Sequence, residues 1–162
     1  MFIVTAKLTK ARAAAIGIGL IALIAVIILL ASGTGKEDAD PAAAETGKDI
    51  SFKNIRDNDS RIAFLGAFGW ETGPQPASIE EVVIPKTFGE VYTQYNDLQK
   101  AQGLDLSKYA GKTVRRYTYE VLNYPGAEDP VYADLLIYKN RVIGADVCSA
   151  KLAGFMHGLI AP

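Results

Sequence analysis

Cysteine and histidine are almost absent from this 162-residue chain, which contains one of each, Cys148 and His157. A single cysteine cannot form an internal disulfide, so a folded domain must be stabilised by its apolar core alone. The lone thiol also argues against a small, disulfide-stabilised toxin or growth factor. A bacterial lipoprotein is excluded as well, because that class needs a cysteine directly after its N-terminal apolar run.

An excess of positive charge is also lacking, since the formal net charge is −1. Three of the 17 basic residues precede position 13 and none of the 18 acidic residues does, so the rest of the chain carries a net charge of −4. Lys112, Arg115 and Arg116 adjoin Tyr117 and Tyr119, an arrangement that could stack on single-stranded nucleic acid. The acidic balance opposes this interpretation, and strand tyrosines usually pack a sheet. We expect no nucleic-acid partner.

Long apolar runs are missing except for one, Ala13 to Ala31, which has no charged side chain. As a helix this run would reach roughly 28 Å, close to the thickness of a bilayer core. Lys7, Lys10 and Arg12 precede it, and basic flanks stay cytoplasmic. The sequence therefore predicts a basic cytoplasmic leader at 1–12 and a single transmembrane anchor at 13–32, with the C-terminal part outside the cytoplasm. The lipid bilayer is then the predicted partner of this helix.

The same run has a second interpretation as a secretory signal peptide. Signal peptides have shorter apolar regions, but Ala31-Ser32-Gly33 could still be cleaved. The length favours a retained anchor. Residues 33–57 are predicted to be a flexible tether, because Gly, Ala, Pro and charged residues dominate and no apolar period is present. Residues 58–162 are predicted to form one extracytoplasmic domain.

Two helices are predicted in that domain. The first extends from about Asp59 to Phe68, with N-cap oxygens at its start and Gly69 as its stop. The second extends from Thr87 or Phe88 to Gln102 and carries an apolar stripe at offsets of three and four.

The strands are predicted at Ile79–Ile84, at Thr113–Tyr124, and in a hairpin formed by Val131–Tyr138 and Arg141–Cys148. The first, which Pro85 ends, should be an edge strand.

The hairpin register is chosen by burial. A three-residue turn would place Leu135 opposite Ile143 and Ala133 opposite Ala145, which gives one purely apolar face for the helices. A two-residue turn would put Asp146 opposite Ala133 on a mixed face, so the first register is preferred. The predicted fold is α+β, with two helices packed on a small antiparallel sheet and one transmembrane helix in front.

The chain offers one candidate combination of a catalytic nucleophile and a base, Cys148 with His157. Asp146 is a possible group to orient the base. The structural alternative is that Cys148 is a small buried apolar residue and that His157 makes a hydrogen bond in a packed tail. We favour this alternative, so no catalytic residue, cofactor or metal ion is predicted. Scattered aspartates with one cysteine and one histidine have no metal-ligand spacing.

A possible interaction surface lies on the sheet face that the helices are predicted to leave open. It consists of Tyr132, Leu136, Tyr138 and Val142. Exposed aromatic patches often mark interaction sites, although monomers rarely leave large apolar patches uncovered. The alternative is that the C-terminal segment 152–160 covers this face.

Several short motifs occur together in the C-terminal part of the chain. They are the Arg61-to-Trp70 pattern, Tyr109-Ala110-Gly111-Lys112-Thr113, Tyr117-Thr118-Tyr119, Asn123-Tyr124-Pro125-Gly126, Gly144-Ala145-Asp146-Val147-Cys148-Ser149 and Phe155-Met156-His157-Gly158. The chain resembles, over about Asp59 to Leu159 and in its anchor, an uncharacterised domain-of-unknown-function family of short, N-terminally anchored proteins from Gram-positive, clostridium-like bacteria. This resemblance implies a bacterial cell-surface location and supplies no catalytic or binding residues.

The function predicted from the sequence is a non-catalytic, membrane-tethered binding or interaction module. Its partner would be a peptide, an envelope component or another membrane protein. One alternative is a thiol-dependent enzyme that uses Cys148 and His157. A further alternative is a regulatory partner of a membrane complex, in which the anchor itself makes the contact.

Overall fold

The computed structural model describes residues 50–152 and 154–161. Within these ranges the chain forms an α+β domain of two α-helices, a short 3₁₀ helix and a five-stranded antiparallel sheet, which confirms the predicted class. The helices are α1 (Asn58–Ala67), α2 (Glu90–Ala101) and the 3₁₀ helix Leu106–Tyr109. The strands are β1 (Ser78–Val83), β2 (Thr113–Val121), β3 (Val131–Tyr138), β4 (Arg141–Ser149) and β5 (Met156–His157).

The predicted anchor at 13–32, its basic leader and most of the predicted tether lie outside the described residues. Among the residues that are described, no helix combines the length and apolar character needed to cross a bilayer. The anchor therefore stays a prediction from the sequence.

The strands follow one another in the sheet in chain order, β1-β2-β3-β4-β5, and every neighbouring pair is antiparallel. β1 is an edge strand, as Pro85 indicates. β5 lies at the other edge and is not predicted from the sequence, because a two-residue strand is too short to show a period.

The hairpin between β3 and β4 has a two-residue turn, so the predicted three-residue turn is wrong. Tyr138 pairs with Arg141, and the turn residues Lys139 and Asn140 have φ angles of 47° and 60°. Two residues with positive φ match the twist of a β-hairpin. A β-bulge between Leu136 and Ile137 then shifts the register of the remaining pairs.

This bulge preserves the apolar face while changing its partners. Leu135 pairs with Ala145 instead of Ile143, and Ala133 pairs with Val147. A bulge inserts one residue on one strand, so it restores the alternation that a two-residue turn alone would break. Leu135 and Ala133 therefore stay on one apolar face, as predicted, whereas the bulge, which the sequence does not indicate, changes their partners.

Helix α1 begins at a capping box. The Asp57 carboxylate accepts a hydrogen bond from the Ser60 amide at 2.8 Å, and the Ser60 hydroxyl accepts one from the Asp57 amide at 3.0 Å. The turn after the helix passes through Gly69, whose φ of +91° favours glycine. Phe64 and Leu65 are buried in one apolar cluster with the sheet, on what we call the α1 face.

Residues 50–57, assigned from the sequence to the tether, are packed against the domain. The Phe52 ring lies 5.2 Å from the Phe64 ring in an edge-on arrangement, and Ile55 is 7% exposed. The Ile55 amide donates to the Asn140 carbonyl at 2.9 Å. The predicted boundary at residue 58 is thus too late, because a few isolated apolar residues among polar ones gave no period to detect.

The two helices lie on opposite faces of the sheet, so the predicted packing of both on one face is wrong. Tyr92 and Tyr95 of α2 belong to a second apolar cluster, which also contains Leu136 of β3. Leu135 and Ile137, the neighbours of Leu136 along the strand, belong to the cluster of the α1 face. We call this second side the α2 face. The strands carry apolar residues at both odd and even positions, so both faces of the sheet are apolar. This is typical of a sheet that is covered on both sides.

The outer edge of β4 is closed by several short segments. The Gln99 side-chain oxygen accepts from the Ala145 amide at 2.8 Å, and the Gln102 side-chain nitrogen donates to the Ala145 carbonyl at 2.9 Å. Near the turn, the Val142 amide donates to the Phe52 carbonyl at 2.9 Å. Together with β5, these contacts occupy edge groups that would otherwise be open to pairing with another chain.

Candidate functional site

Cys148 and His157 project to opposite faces of the sheet. His157 pairs directly with Val147, and Met156 pairs directly with Cys148. Residues that face each other across two strands project to the same side, and Val147 belongs to the cluster of the α1 face. His157 therefore points to the α1 face and Cys148 to the α2 face. The dyad considered from the sequence is not assembled, since a base must reach the thiol by a hydrogen bond.

The imidazole of His157 instead holds the C-terminal segment on the domain. Its Nδ1 lies 2.6 Å from the Gly158 carbonyl oxygen, and its Nε2 lies 3.0 Å from the Tyr124 hydroxyl. Because a carbonyl only accepts, Nδ1 carries a proton, and Nε2 of the neutral ring is then the acceptor for the tyrosine hydroxyl. The ring also stacks on Phe155, with centroids 5.5 Å apart. This is the structural alternative that the sequence favours.

The Cys148 thiol is enclosed in the domain and is 9% exposed. Burial raises its pKa well above the ordinary range, and the nearby Asp146 and Asp134 raise the pKa further. A nucleophilic cysteine needs the opposite shift, because the thiolate is the reactive species.

The aromatic surface expected at Tyr132, Leu136, Tyr138 and Val142 does not form. Leu136 is 3% exposed and Val142 is fully buried, and the bulge between β3 and β4 places them in different apolar clusters. Tyr138 packs edge-on against Tyr109 with centroids 5.7 Å apart. The cover that the sequence assigned to the C-terminal segment is supplied largely by α2 and the 3₁₀ helix.

A buried polar cluster lies on the α2 face, where Asp134 of β3 is paired directly with Asp146 of β4. The Tyr95 hydroxyl donates to Asp146 Oδ1 at 2.7 Å, and the Thr118 hydroxyl donates to Asp134. Asp146 is 2% exposed, and its Oδ2 has no hydrogen-bond partner in the described part of the chain. Burial and the facing Asp134 raise the pKa of Asp146 to about 8, and burial also raises the pKa of Asp134.

Arg116 is the basic residue of this cluster. Its guanidinium lies 2.7 Å from the Glu80 carboxylate and 3.9 Å from that of Asp134. One cation thus faces three carboxyl groups, so two buried aspartates cannot both ionise without a large cost in free energy. At neutral pH the Asp134–Asp146 pair therefore holds a proton.

Asp134, Asp146 and Cys148 present ligand atoms within 4.8 Å of one another, a juxtaposition that the sequence spacing does not predict. A cation would have to displace the protons that burial retains on the thiol and on the aspartate pair. It would also lie near the charge of Arg116, which is 3.9 Å from Asp134. These groups therefore favour a structural, proton-sharing cluster over a metal centre.

A pocket of about 310 Å³ opens on the α1 face beside the hairpin turn. Its lining has a strong charge bias, with Arg56, Arg61, Arg115 and Lys139 against a single acidic residue, Glu81. The chain as a whole is slightly acidic. This basic pocket is the candidate functional site.

Arg61 is the unusual residue of the basic pocket, because it is only 8% exposed. Its guanidinium carbon lies 3.9 Å from the centroid of the Tyr117 ring, a close cation–π contact. Among the described residues, no carboxylate lies within ion-pair distance of Arg61. Asp57 is close enough to have its pKa lowered by Arg61, but this is a smaller cause than the hydrogen bonds that Asp57 accepts from Ser60.

A chain of hydrogen bonds fixes the orientation of Arg61. Its Nε donates to the Tyr119 hydroxyl at 2.8 Å, and that hydroxyl donates to the Asn58 side-chain oxygen at 2.9 Å. The Asn58 side-chain nitrogen donates in turn to the Pro74 carbonyl at 2.9 Å. Because Nε is used inside the domain, the two terminal amino groups of Arg61, which lines the pocket, remain for a ligand.

The sequence contains part of the signal for this pocket. From the sequence, Arg115 and Tyr117 are interpreted only as a stacking site for nucleic acid, and that interpretation is disfavoured. Arg61 stands three and four positions before Phe64 and Leu65, so it is a cation within an apolar helical stripe. Lys139 and Arg61 come together only through the fold, which no local spacing indicates.

Comparison with known proteins gives a family without an assigned activity. The family model described as Domain of unknown function (DUF4830) matches residues 64–147, more than half of the chain. The chain is also 30% identical over 123 residues to the bifunctional purine biosynthesis protein PurH of Ruegeria pomeroyi. That match covers 67% of this chain and 23% of the relative, so the chain spans less than a quarter of that protein's length. No solved structure matches the chain.

Proposed function

The chain belongs to the DUF4830 family, a domain of unknown function, and we propose that it is a non-catalytic, membrane-tethered module that binds an anionic ligand in the basic pocket. The observation that carries the proposal is Arg61, a buried guanidinium with no ion-pair partner among the described residues.

The cost of burying a cation supports an anionic ligand. A charge removed from water is unfavourable unless an opposite charge or strong hydrogen bonds compensate it. The Tyr117 ring compensates Arg61 in part, since a cation–π contact contributes about 1–2 kcal/mol. A ligand oxyanion would supply the missing partner, because the terminal amino groups of arginine suit two-point contact with such groups.

The chemistry of the lining supports binding rather than catalysis. Cys148 and His157 are not among the residues that line the pocket, and Glu81 is its single carboxylate. The exposed rim, formed by Arg56, Arg115 and Lys139, suits a ligand that enters from solvent. The partial likeness to a purine biosynthesis protein adds no activity to this proposal.

The membrane location is proposed from the N-terminal part of the sequence. The apolar run at 13–31 is long enough to span a bilayer, and the basic leader at 1–12 favours a cytoplasmic N-terminus. In this arrangement residues 33–49 connect the anchor to the domain, which faces outward. The ligand group would then be carried by a peptide, an envelope component or a membrane protein or lipid.

Ligand binding can be tested on the full-length chain in a neutral detergent. Thermal unfolding is measured at constant ionic strength with added succinate, glycerol 3-phosphate or chloride. A ligand that binds only the native state raises the melting temperature with concentration. We expect at least one of the two organic anions to do so, and the increase to vanish in the double variant Arg115→Gln/Lys139→Gln.

The matched control is the double variant Lys86→Gln/Lys112→Gln, which removes two exposed charges outside the pocket. It should keep the full response. No response in the native chain, or an equal loss in both double variants, would overturn the proposed function.

Topology is tested separately with wall-stripped cells. Added protease should remove the C-terminal domain and leave the leader protected. Protection of the domain would reverse the proposed orientation while leaving the binding result unaffected.

A further inference from the structure

We infer that the anionic group bound in the basic pocket is a phosphate, carried by a small organic molecule or a lipid headgroup. The inference rests on the proposed function and names the chemical class of its ligand.

The charge of the pocket favours an anion with more than one negative charge. Four basic side chains, from Arg56, Arg61, Arg115 and Lys139, line it against Glu81, which leaves an excess of three positive charges. A single carboxylate would neutralise one of them. A phosphate monoester carries about −1.5 to −2 at pH 7 and offers three strong acceptor oxygens.

The number of separate segments that supply donors favours a tetrahedral group over a planar one. Arg56 precedes α1, Arg61 lies in α1, Arg115 lies on β2 and Lys139 lies in the hairpin turn. The four residues thus come from separate segments of the chain that meet at the pocket. A planar carboxylate is satisfied by one guanidinium, whereas the oxygens of a phosphate diverge and can meet donors from several elements.

Arg61 is the donor whose position is fixed by contacts within the domain. The Tyr119–Asn58 hydrogen-bond chain and the Tyr117 ring hold the Arg61 guanidinium in place before any ligand arrives. Preorganised donors lose little conformational entropy on binding. The exposed Arg56, Arg115 and Lys139 can then adjust around the remaining oxygens.

The size of the pocket indicates an organic substituent on the phosphate. A volume of about 310 Å³ lies at the lower end of the range for small-molecule sites. Ile55, Ile137 and Tyr138 contribute apolar lining beside the charged groups. A phosphate ester would place its oxygens at the basic residues and its carbon substituent against this apolar side.

The test compares probes of similar charge and different geometry. Calorimetric titration of the full-length chain in a neutral detergent uses glycerol 3-phosphate, inorganic phosphate and succinate. We expect glycerol 3-phosphate to bind at least about ten-fold more tightly than succinate. The variant Arg61→Lys keeps the charge but loses the two-point geometry, and should weaken glycerol 3-phosphate binding by about ten-fold or more.

Folding of the variants is separated from binding in two ways. Arg115→Gln changes an exposed side chain and should weaken glycerol 3-phosphate binding by about five-fold, whereas Lys112→Gln should leave it unchanged. If Arg61→Lys unfolds the domain, Arg115→Gln still decides the result.

The outcomes distinguish this inference from the function on which it rests. If succinate binds as tightly as glycerol 3-phosphate or more tightly, and Arg115→Gln weakens the binding of both, the phosphate inference is overturned and the anion-binding function is kept. Absence of binding by every probe would overturn both.

The source of the phosphate is resolved by a further pair of probes. Dihexanoyl phosphatidic acid and dihexanoyl phosphatidylcholine are compared with glycerol 3-phosphate. Tighter binding of the phosphatidic acid than of glycerol 3-phosphate would identify a lipid headgroup. Equal binding would identify a free phosphate ester. Phosphatidylcholine binding as tight as that of phosphatidic acid would contradict recognition of a phosphate monoester.

Discussion

Asp134 and Asp146 face each other across the β3–β4 pair, and Asp146 is almost completely buried there. Like charges opposite each other in a sheet are destabilising, so the pair is stable only while a proton is shared. Tyr95 donates to one carboxyl group and Thr118 to the other, which fixes both side chains on the α2 face.

The stability of the domain should therefore fall as the pH rises from 5 to 8. The pKa of Asp146 is about 8 in the folded domain against an ordinary value of 3.8, so the native state keeps a proton that the unfolded chain has released. The stabilisation is complete below about pH 4 and is lost as the pH approaches 8. The slope should be at most about 1.4 kcal/mol per pH unit, measured by urea unfolding at several pH values.

Asp146→Asn should flatten this dependence, because an amide accepts from Tyr95 and does not titrate. Asp97→Asn, an exposed site on α2, should leave it unchanged. The pKa of Asp105 is lowered to about 2, so its opposite contribution lies below the measured range. Stability that rises between pH 5 and 8, or that is equally flat in both variants, would contradict the shared proton.

Native Cys148 should react very slowly with iodoacetamide at pH 7. Burial raises the thiol pKa and so removes the thiolate that alkylation needs. We expect labelling to be at least about 100-fold slower in the native chain than in urea, as followed by mass spectrometry. His157→Ala should not slow it further, since the imidazole lies on the other face of the sheet. Rapid labelling that depends on His157 would restore the thiol-enzyme alternative.

Two glycine substitutions should have opposite effects on stability. A Cβ at Gly144 would lie 2.9 Å from a Leu136 methyl group and 3.1 Å from one of Leu106. Gly144→Ala should therefore destabilise the domain by roughly 1–3 kcal/mol. Gly66 lies in α1 with open space around it, so Gly66→Ala should stabilise the domain by up to about 1 kcal/mol. Denaturant midpoints of both variants measure the difference; equal effects would show that the Gly144 site can relax.

A chain that begins at Asp49 should unfold cooperatively, independently of reducing agent, because one cysteine forms no internal disulfide. A chain that begins at Asn58 lacks the Asp57 cap and the packing of Phe52 and Ile55. It should be less stable by about 3 kcal/mol or more, as measured by thermal and urea unfolding. Equal stability of the two chains would show that residues 50–57 contribute no packing energy.

The local features of the fold could be predicted from the sequence, because they depend on neighbours along the chain. The capped start of α1, its stop at Gly69, the edge position of β1 and the β3–β4 hairpin follow from cap, glycine, proline and alternation signals. The low cysteine count and the net charge depend on composition alone, and the apolar run at 13–31 depends only on the order of residues along the chain.

The relationships between distant residues were decided by the tertiary structure. One bulge at Leu136 changed every subsequent pair and brought Asp134 opposite Asp146. Cys148 projects to the second face, on which α2 packs, and the pairing of β5 directs His157 to the opposite face. Arg61, Arg115 and Lys139 line one pocket because a helix, a strand and a turn come together on the α1 face. The period of apolar residues shows which residues of a helix or strand are buried. It does not show which surfaces pack together, and the free energy of burial depends on that packing.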